Sequence, residues 1–441
     1  MTRASTALEA WLTGEEATVL PPTEVRARSG RPLAIPLRAS QQDVWLYDPW
    51  CFTPWYTAAL ALALRRAGTS LRLVCPRYHY EPNFFAQIGL ETDPGPLDLV
   101  SRWPLRHAAA RQSLRSLEYV LNTLSISRKL GQGTTRVLHL QLCPLLARGI
   151  ATDRQLVVFA KRRGVRAVHT VHNLLPHDSG AWHHASYARF YGACDRLICH
   201  SEDIAERLET EFRIASDRID VIPHGPLFSA PETLGRVQSR ARLGLDPDAF
   251  IFLWQGILSP YKGLPLLLDA WSKLLGSMDP YSKSPTLLIA GTGSVADAAA
   301  VRDRVARLGD SVRLHLRYIP AVEIPCYYTA ADVLLYPYRQ ITTSGALMTG
   351  LHYEKPIIAS DLPAFRAVVD HQENGLLLTS YTAEALAQAM RRVLTDPLLF
   401  RRLCRGAMAN RQRQTQWDEI ARRTRLTYER ALRRSSTPAP A

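Results

Sequence analysis

Short runs of apolar, often β-branched residues bounded by turn residues recur along this chain. They alternate with longer stretches of helical periodicity, the pattern of successive parallel βαβ units. In the first half, VWLYDP (44–49), LRLVCP (71–76), VLHLQL (137–142), RAVHTVHN (166–173), RLICHS (196–201) and IDVIPHG (219–225) predict strands. SEDIAERLETEF (201–212) predicts a helix with Ser201 as its N-cap and acids in its first turns. From Pro226 to about Asp248, Pro, Gly, Ser and Arg gather without a strand, which predicts a domain boundary. The pattern restarts at FIFLWQG (250–256) and continues with TLLIAGTG (286–293), VRLHLRYI (312–319), VLLYPY (333–338) and PIIAS (356–360). The expected organisation is an irregular extension over 1–40 and two doubly wound α/β modules over 41–225 and 226–395. Arg-rich helices over 396–434 that pack back across the domains follow, then a disordered tail over 435–441.

Length and composition agree with two domains, because 441 residues exceed one hydrophobic core, and 46% hydrophobic with 21% charged content is that of an ordinary folded protein. A net charge of +14 favours anionic partners, whether nucleotide phosphates, nucleic acid or an anionic lipid surface. No nucleic-acid reader motif is present, so nucleic acid is not an expected partner. The cysteines at 51, 75, 143, 194, 199, 326 and 404 show no CxxC pair and no zinc-finger spacing, which predicts reduced, buried thiols. The first thirty residues carry acids at 9, 15 and 16 and no long apolar run, so no signal peptide is predicted. Nor does a stretch of about 18 uncharged apolar residues predict a membrane span. A cytoplasmic protein is expected.

Candidate chemistry concentrates in the second module. In FLWQGILSPYKGLPLLLDAW (252–271) a strand enters a Gly-containing loop, and Lys262-Gly263 opens a helix with apolar residues at 264, 267, 268, 271 and 275. Unpaired N–H groups, a positive dipole end and an ammonium at one spot make a site for a diphosphate. A solvated lysine capping nothing is the bland alternative. In PYRQITTSGALMTGLHYEKPII (337–358) a strand ends at Pro337-Tyr338, and Thr342-Thr343-Ser344-Gly345 leads into another helix. Gly345 permits close approach of the backbone, Thr343 and Ser344 offer hydroxyls, and the amides from Ser344 to Leu347 point at the same phosphate. Alone, TTSG reads as readily as an N-cap with a tight turn. Its place after the fourth strand of the second series gives it weight. Lys262, the Gly291-Thr292-Gly293 loop and Ser344-Gly345 then all lie at strand carboxyl ends, where α/β sheets bind ligands, and converge on one cleft.

The order of IPHG (222–225), GILSPYKGLPLLLDAW (256–271), LLIAGTG (287–293), ADVLLYPY (331–338), SGALMTGLHYEKPIIAS (344–360) and ENGLLL (373–378) resembles the GT-B-fold glycosyltransferases of the retaining family 4 group, over roughly residues 165–395. The resemblance implies an α/β fold of two doubly wound Rossmann-like domains facing a central cleft, the first for the acceptor and the second for the nucleotide sugar. It implies a hexosyltransferase-type enzyme that moves a sugar, with retention, from a UDP or GDP type of nucleotide sugar to a carbohydrate, lipid-linked or small-molecule acceptor in polysaccharide or glycoconjugate biosynthesis. No cofactor and no metal are expected. By this resemblance Gly256, Lys262, Arg339, Thr343, Ser344, Gly345 and Ala346 hold the donor diphosphate, and Gly291, Tyr318, Ile319 and Thr349 face the base and ribose. His172, at a strand's carboxyl end, hydrogen-bonds the sugar or the developing oxocarbenium charge, and Lys262 and His172 are the implied catalytic residues.

Two departures stand out. Ile257 follows Gly256 where the family has Gly-Arg, which leaves Arg339 to supply the second cation. The family's Glu-x7-Glu pair falls on Ile341 and Thr349, so neither carboxylate is present.

Asp48, Trp50, Trp55 and Tyr56 follow the first strand and, with Asn173 and His177, are expected on the acceptor side. The aromatics suit stacking on a sugar ring and a buried corner equally. His169, His172, His177, His183 and His184 also admit a metal reading, without the spacing of a helix-borne ligand pair, and a reading as surface loop histidines. Arg102, Arg106, Arg111, Arg115, Arg128 and Lys129 against the single acid Glu118 suit peripheral contact with an anionic membrane at its inner face, or a solvated helix face, equally. Two rivals share the signals: a GT-B-fold epimerase or phosphorylase, and a non-catalytic transferase-like binding partner.

Overall fold

The computed structural model describes residues 44–433 apart from 52, 77–80, 96, 103–107, 131–132, 177–180, 229–233, 279–284 and 342–343. The expected extension over 1–40 and tail over 435–441 lie outside the described residues, as do His177 and Thr343. Among the described residues the chain forms two compact units. One holds residues up to Gly225 together with those from Thr415 onward, and the other holds Pro226–Gln414.

The first unit is built on a parallel sheet of β1 (Val44–Tyr47), β2 (Leu71–Val74), β3 (Thr92–Asp93), β4 (Val137–Leu140), β5 (Arg166–Thr170), β6 (Arg196–Cys199) and β7 (Ile219–Val221), in the order β3-β2-β1-β4-β5-β6-β7. Every residue of β1, β4 and β6 is buried. Parallel strands covered by helices on both faces read as continuous apolar runs, which is why the runs found these strands. Edge strand β3 has no such run: its two residues are half-buried and pair only with β2. The helix after β1, α1 (Pro54–Arg66), begins on a proline whose missing N–H is no loss there, and it ends on Arg65 and Arg66 at the negative dipole end. Between β3 and β4 runs α2 (Ala108–Leu130). Ser201 does stand at the N-cap of helix Glu202–Thr210, but its side chain makes no capping hydrogen bond.

The second unit has β8 (Ile251–Gln255), β9 (Thr286–Gly291), β10 (Val312–Leu316), β11 (Val333–Tyr336), β12 (Ile357–Ala359) and β13 (Gly375–Leu377), in the parallel order β10-β9-β8-β11-β12-β13. The strand order reverses between β8 and β11, the switch point outside which such sheets bind ligands. Along β8, Phe252 and Trp254 point into one apolar layer and Ile251 and Leu253 into the other, as a period of two requires. Two helices start from the loops at the switch point, α3 (Leu264–Gly276) after β8 and α4 (Gly345–His352) after β11.

The C-terminal helices divide between the units. α5 (Pro397–Arg413) stays with the second, its N-cap Asp396 accepting the amides of Leu398 and Leu399. After Gln414, α6 (Trp417–Arg433) belongs to the first, burying Trp417, Ile420, Ala421, Thr424, Tyr428 and Ala431 along one stripe. Arg430 pairs with the buried Asp220 at 2.5 Å, and Arg196 Nε donates to the same carboxylate at 2.6 Å.

Candidate functional site

At the switch point of the second unit, three glycines, two at strand ends and one at the start of α3, bring loops together backbone to backbone. Gly256, Gly263 and Gly291 have φ of 150°, 70° and 151°. A β-carbon on Gly291 would overlap the Gly256 carbonyl, and one on Gly263 would overlap the Pro337 carbonyl. Only glycine satisfies both the backbone angle and the closeness.

Lys262 ends a 3-10 turn, Pro260–Lys262, two residues before α3. Its carbonyl accepts from Trp254 Nε1 at 3.3 Å, which pins the loop to the strand beneath. The side chain is 9% exposed, and burial alone pushes its ammonium down to about 8, so it stays charged at neutral pH. Its Nζ lies 5.5 Å from the centre of the Tyr338 ring, and no carboxylate stands within salt-bridge distance among the described residues. A buried cation without an anion is costly, and an anionic ligand is what completes it.

Across the switch point, Ser344 caps α4. Its Oγ accepts from the Leu347 amide at 3.2 Å and its carbonyl accepts from Met348 at 3.1 Å. One lone pair of the hydroxyl is therefore engaged by the helix. The amides of Gly345 and Ala346 meet no acceptor among the described residues, the usual condition of a helix start. Arg339 is exposed. Its amide donates to the Tyr261 carbonyl at 2.7 Å, and its guanidinium lies 5.9 Å from the ring of Tyr381, whose hydroxyl neighbours Gly263.

Two expected contacts of this half are corrected. Thr349 is fully buried and its hydroxyl donates to the Gly345 carbonyl at 2.8 Å, so it is spent within α4 and does not face a ribose. Ile319 points into an apolar layer and has only its backbone to offer, while Tyr318 is half-buried. Ile341, where an acid was absent, packs against that same layer.

In the first unit the ends of β4 to β7 assemble Gln141, His172, His200 and His224. His172 Nε2 lies 3.0 Å from the Gln141 amide and its Nδ1 lies 3.5 Å from His200 Nε2. His200 Nδ1 and His224 Nδ1 donate to the carbonyls of Ile222 and Gly225, at 3.0 and 2.6 Å. Burial holds His172 well below the usual imidazole range, His200 at about 4 and His224 at about 3, so all three are neutral at physiological pH.

The acceptor-side expectation is corrected for three residues. Tyr56 is buried among these histidines, its ring centre 4.7 Å from His172 and 5.3 Å from Trp417. Asp48 is fully buried and accepts the Thr57 hydroxyl at 2.8 Å. Trp50 is buried beneath the guanidinium groups of Arg115 and Arg148. Of the two readings of the aromatics, the structure takes the buried corner. Trp55 and Asn173 are half-buried. The histidines weighed as metal ligands part company: His169 faces the Leu140 carbonyl, and His184 stacks on Phe212.

Gln141 and His200 were read only as parts of strands, and His224 and Tyr338 only within strands and the motifs IPHG and ADVLLYPY, none of them with a role of its own. The signal that finds them is the one that found Lys262, a polar side chain at the carboxyl end of a parallel strand.

Comparison with known proteins gives two family matches, one per unit. Residues 54–225 match the family described as Glycosyltransferase Family 4, and residues 249–396 match Glycosyl transferases group 1. A D-inositol 3-phosphate glycosyltransferase of Streptomyces bingchenggensis is 29% identical over 250 residues, 55% of this chain and 54% of that protein. The protein of the same name from Kineococcus radiotolerans is 31% identical over 257 residues, 54% of this chain and 58% of that one. The chain thus spans just over half the length of these relatives. Among solved structures, sucrose-phosphate synthase from Thermosynechococcus elongatus aligns with a TM-score of 0.67 at 19% identity, covering 90% of this chain and 100% of that one. Anabaena HepE in complex with UDP-glucose aligns with a TM-score of 0.66 at 15% identity, covering 88% and 98%. At such identities the likeness is one of fold, and the fold is the expected α/β pair of doubly wound Rossmann-like domains.

Proposed function

The chain belongs to the GT-B glycosyltransferases of the family 4 type, and from that premise we propose that it transfers a sugar from a nucleotide-sugar donor to a carbohydrate, lipid-linked or small-molecule acceptor, with retention. The observation that carries the reading is Lys262, a buried cation with no carboxylate beside it among the described residues, at the switch point of a sheet and between the starts of α3 and α4. A diphosphate has the charge and the oxygens to meet that ammonium and the amides of Gly345 and Ala346. Gly256, Arg339 and Ser344 complete the diphosphate contacts in this proposal. Gly291 and Tyr318 take the base side, and His172 takes the sugar. No metal is needed, because the departing diphosphate is stabilised by positioning and fixed positive charge. The complex of HepE with UDP-glucose favours a uridine donor, and the name of the curated relatives puts an inositol phosphate among the acceptors to try.

The test is a thermal-shift and calorimetric screen of UDP, GDP, CMP and dTDP sugars against the wild type and Lys262→Ala. A donor at 100 times its Kd should stabilise by about 2.7 kcal/mol. No saturable donor in the wild type would end the reading. Turnover of a bound donor without acceptor, or only with free phosphate, would move it to an epimerase or a phosphorylase.

Peripheral contact with an anionic membrane at its inner face belongs to the same proposal. No helix among the described residues is long and apolar enough to cross a membrane. On α2, however, Leu117, Leu121 and Leu124 are 56%, 42% and 56% exposed at helical spacing, with Arg128 and Lys129 exposed at the helix's end. The helix's one acid, Glu118, is buried and accepts the amides of Leu99 and Val100, so it does not oppose a negative surface. An apolar stripe with cations beside it is the arrangement that lies on anionic lipid. Co-sedimentation with phosphatidylglycerol-containing vesicles should be lost in a triple Leu117→Ser, Leu121→Ser, Leu124→Ser variant. Equal binding to neutral and anionic vesicles would remove the anionic surface from the proposal.

A further inference from the structure

A line of buried polar side chains in the first unit runs from α6 to His172 and beyond. The Tyr428 hydroxyl lies 2.7 Å from His139 Nδ1, and His139 Nε2 lies 3.1 Å from the Gln141 amide and 2.8 Å from the Thr170 hydroxyl. The other end of the Gln141 amide is 3.0 Å from His172 Nε2. His172 Nδ1 is 3.5 Å from His200 Nε2, whose Nδ1 faces the Ile222 carbonyl. Tyr428, His139, Gln141 and His200 are all buried, so a mismatched donor or acceptor in this line has no water to turn to.

Only one direction of donation satisfies every member. A carbonyl can only accept, so His200 Nδ1 carries a hydrogen. Burial keeps His200 neutral, so its Nε2 is a lone pair. That lone pair requires the hydrogen of His172 on Nδ1, which leaves His172 Nε2 as a lone pair in turn. The donor to it is the amide nitrogen of Gln141, which requires the amide to be turned over from the placement with Oε1 toward His172 and Nε2 toward His139; the two ends are interchangeable in shape. The amide oxygen then accepts from His139 Nε2–H, and His139 Nδ1 accepts the Tyr428 hydroxyl. In the reverse sense, the facing nitrogens of His172 and His200 are both lone pairs and repel.

We propose that Gln141 and Tyr428 are positioning residues for His172. Tyr428 acts through His139, and together they fix His172 as the Nδ1–H tautomer, so that it presents a hydrogen-bond donor, and not a base, to an oxygen of the transferred sugar. The link to His200 is the longest in the line and is the one a sugar oxygen replaces. The inference rests on the reading of His172 as the sugar contact. It also gives α6 a role in setting the site that packing alone does not require.

The test uses the full chain labelled with nitrogen-15 histidine, with the His172 signals assigned by their loss in His172→Gln. A pyridine-type Nε2 and a pyrrole-type Nδ1 on His172 are expected, and the reverse pattern overturns the inference. In Gln141→Glu the carboxylate can only accept, so it forces the hydrogen onto His172 Nε2 and raises that imidazole's affinity for a proton. The kcat should fall on the order of tenfold with donor KM little changed. Because a second proton puts the hydrogen back on Nδ1, the lost kcat should be regained as pH falls, which a merely structural defect would not show. Tyr428→Phe should lower kcat several-fold with an unchanged circular dichroism spectrum. Wild-type kcat and pH profile in both variants overturn the positioning role. Full activity in His172→Ala alongside the expected tautomer refutes the sugar contact itself, whereas a reversed tautomer in an enzyme that needs His172 refutes only the direction argued here.

Discussion

The ammonium of Lys262 fills the space that a β-carbon on Gly256 would occupy. The glycine therefore shapes the anion site without touching a ligand through any side chain. Gly256→Ala should displace Lys262 and weaken UDP binding about ten- to a hundredfold, the loss of a charge-assisted hydrogen bond of about 1.5–3 kcal/mol, matching Lys262→Ala. Gly244→Ala is the control, since that glycine also has positive φ, 64°, but nothing lies within 4 Å of its β-carbon position. Calorimetry showing wild-type UDP affinity in Gly256→Ala would break the link between the two residues.

Burial brings Lys262 to about 8, and this gives donor binding a pH signature. Only the ammonium attracts a diphosphate, so UDP affinity should be flat near pH 7 and fall above pH 8 towards about tenfold per unit. Lys262→Arg, always charged, should abolish the fall. For folding the sign is opposite. The unfolded lysine keeps its proton to 10.5, so between about 8 and 10.5 the unfolded state binds more protons and stability rises with pH. An affinity that does not change from pH 7 to 9 in the wild type would contradict the burial of this group.

Much of the fold was legible because buried parallel strands are unbroken apolar runs, and β8, β9 and β11 could be read directly. β3, with two half-buried residues, and β13, which starts on Gly375, carry too little side chain to announce themselves. The junctions that carry Lys262 and Gly345 were legible for a related reason: each sits where a strand gives way to a helix, and that change of pattern shows in the sequence. Burial beyond the end of a strand does not show. Asp48, Trp50 and Tyr56 have the composition of a sugar platform and became a corner of the core because Thr57, Arg115 and Trp417, distant or unremarked in sequence, close over them.

The first unit should be acid-labile well above the range where carboxylates titrate. Burial holds His139 and His224 at about 3 and His169 and His200 at about 4, against 6.5 when unfolded. Below pH 6.5 the unfolded state therefore binds more protons. Stability is complete above that pH and is lost as pH falls toward the folded values, at up to about 1.4 kcal/mol per pH unit for each group. Four such groups remove on the order of 5 kcal/mol per unit, comparable to the whole stability of a domain. Urea midpoints at pH 7.5, 6.5, 5.5 and 5 should drop steeply below 6, with a shallower slope in His224→Gln. A midpoint independent of pH down to 5 would show that these imidazoles are not held neutral.

The docking of α6 rests on Trp417, and its loss should be felt in one unit only. A β-carbon on Gly225 would stand 2.6 Å from the Trp417 ring and 2.8 Å from Ile420, so the helix approaches the segment after β7 as closely as a glycine allows. The same indole packs edge-on to Tyr56 at 5.3 Å, beside His172 and His224. Trp417→Ala leaves a cavity and should cost about 3–5 kcal/mol. Gly225→Leu should have a comparable effect by forcing the helix away. Both variants should lower the urea midpoint of the first unit while leaving the Kd for UDP unchanged, because Lys262, Ser344 and Gly345 belong to the other unit. Calorimetry that found donor affinity lost with Trp417 would mean that the donor site is not the self-contained structure its strand-end loops describe.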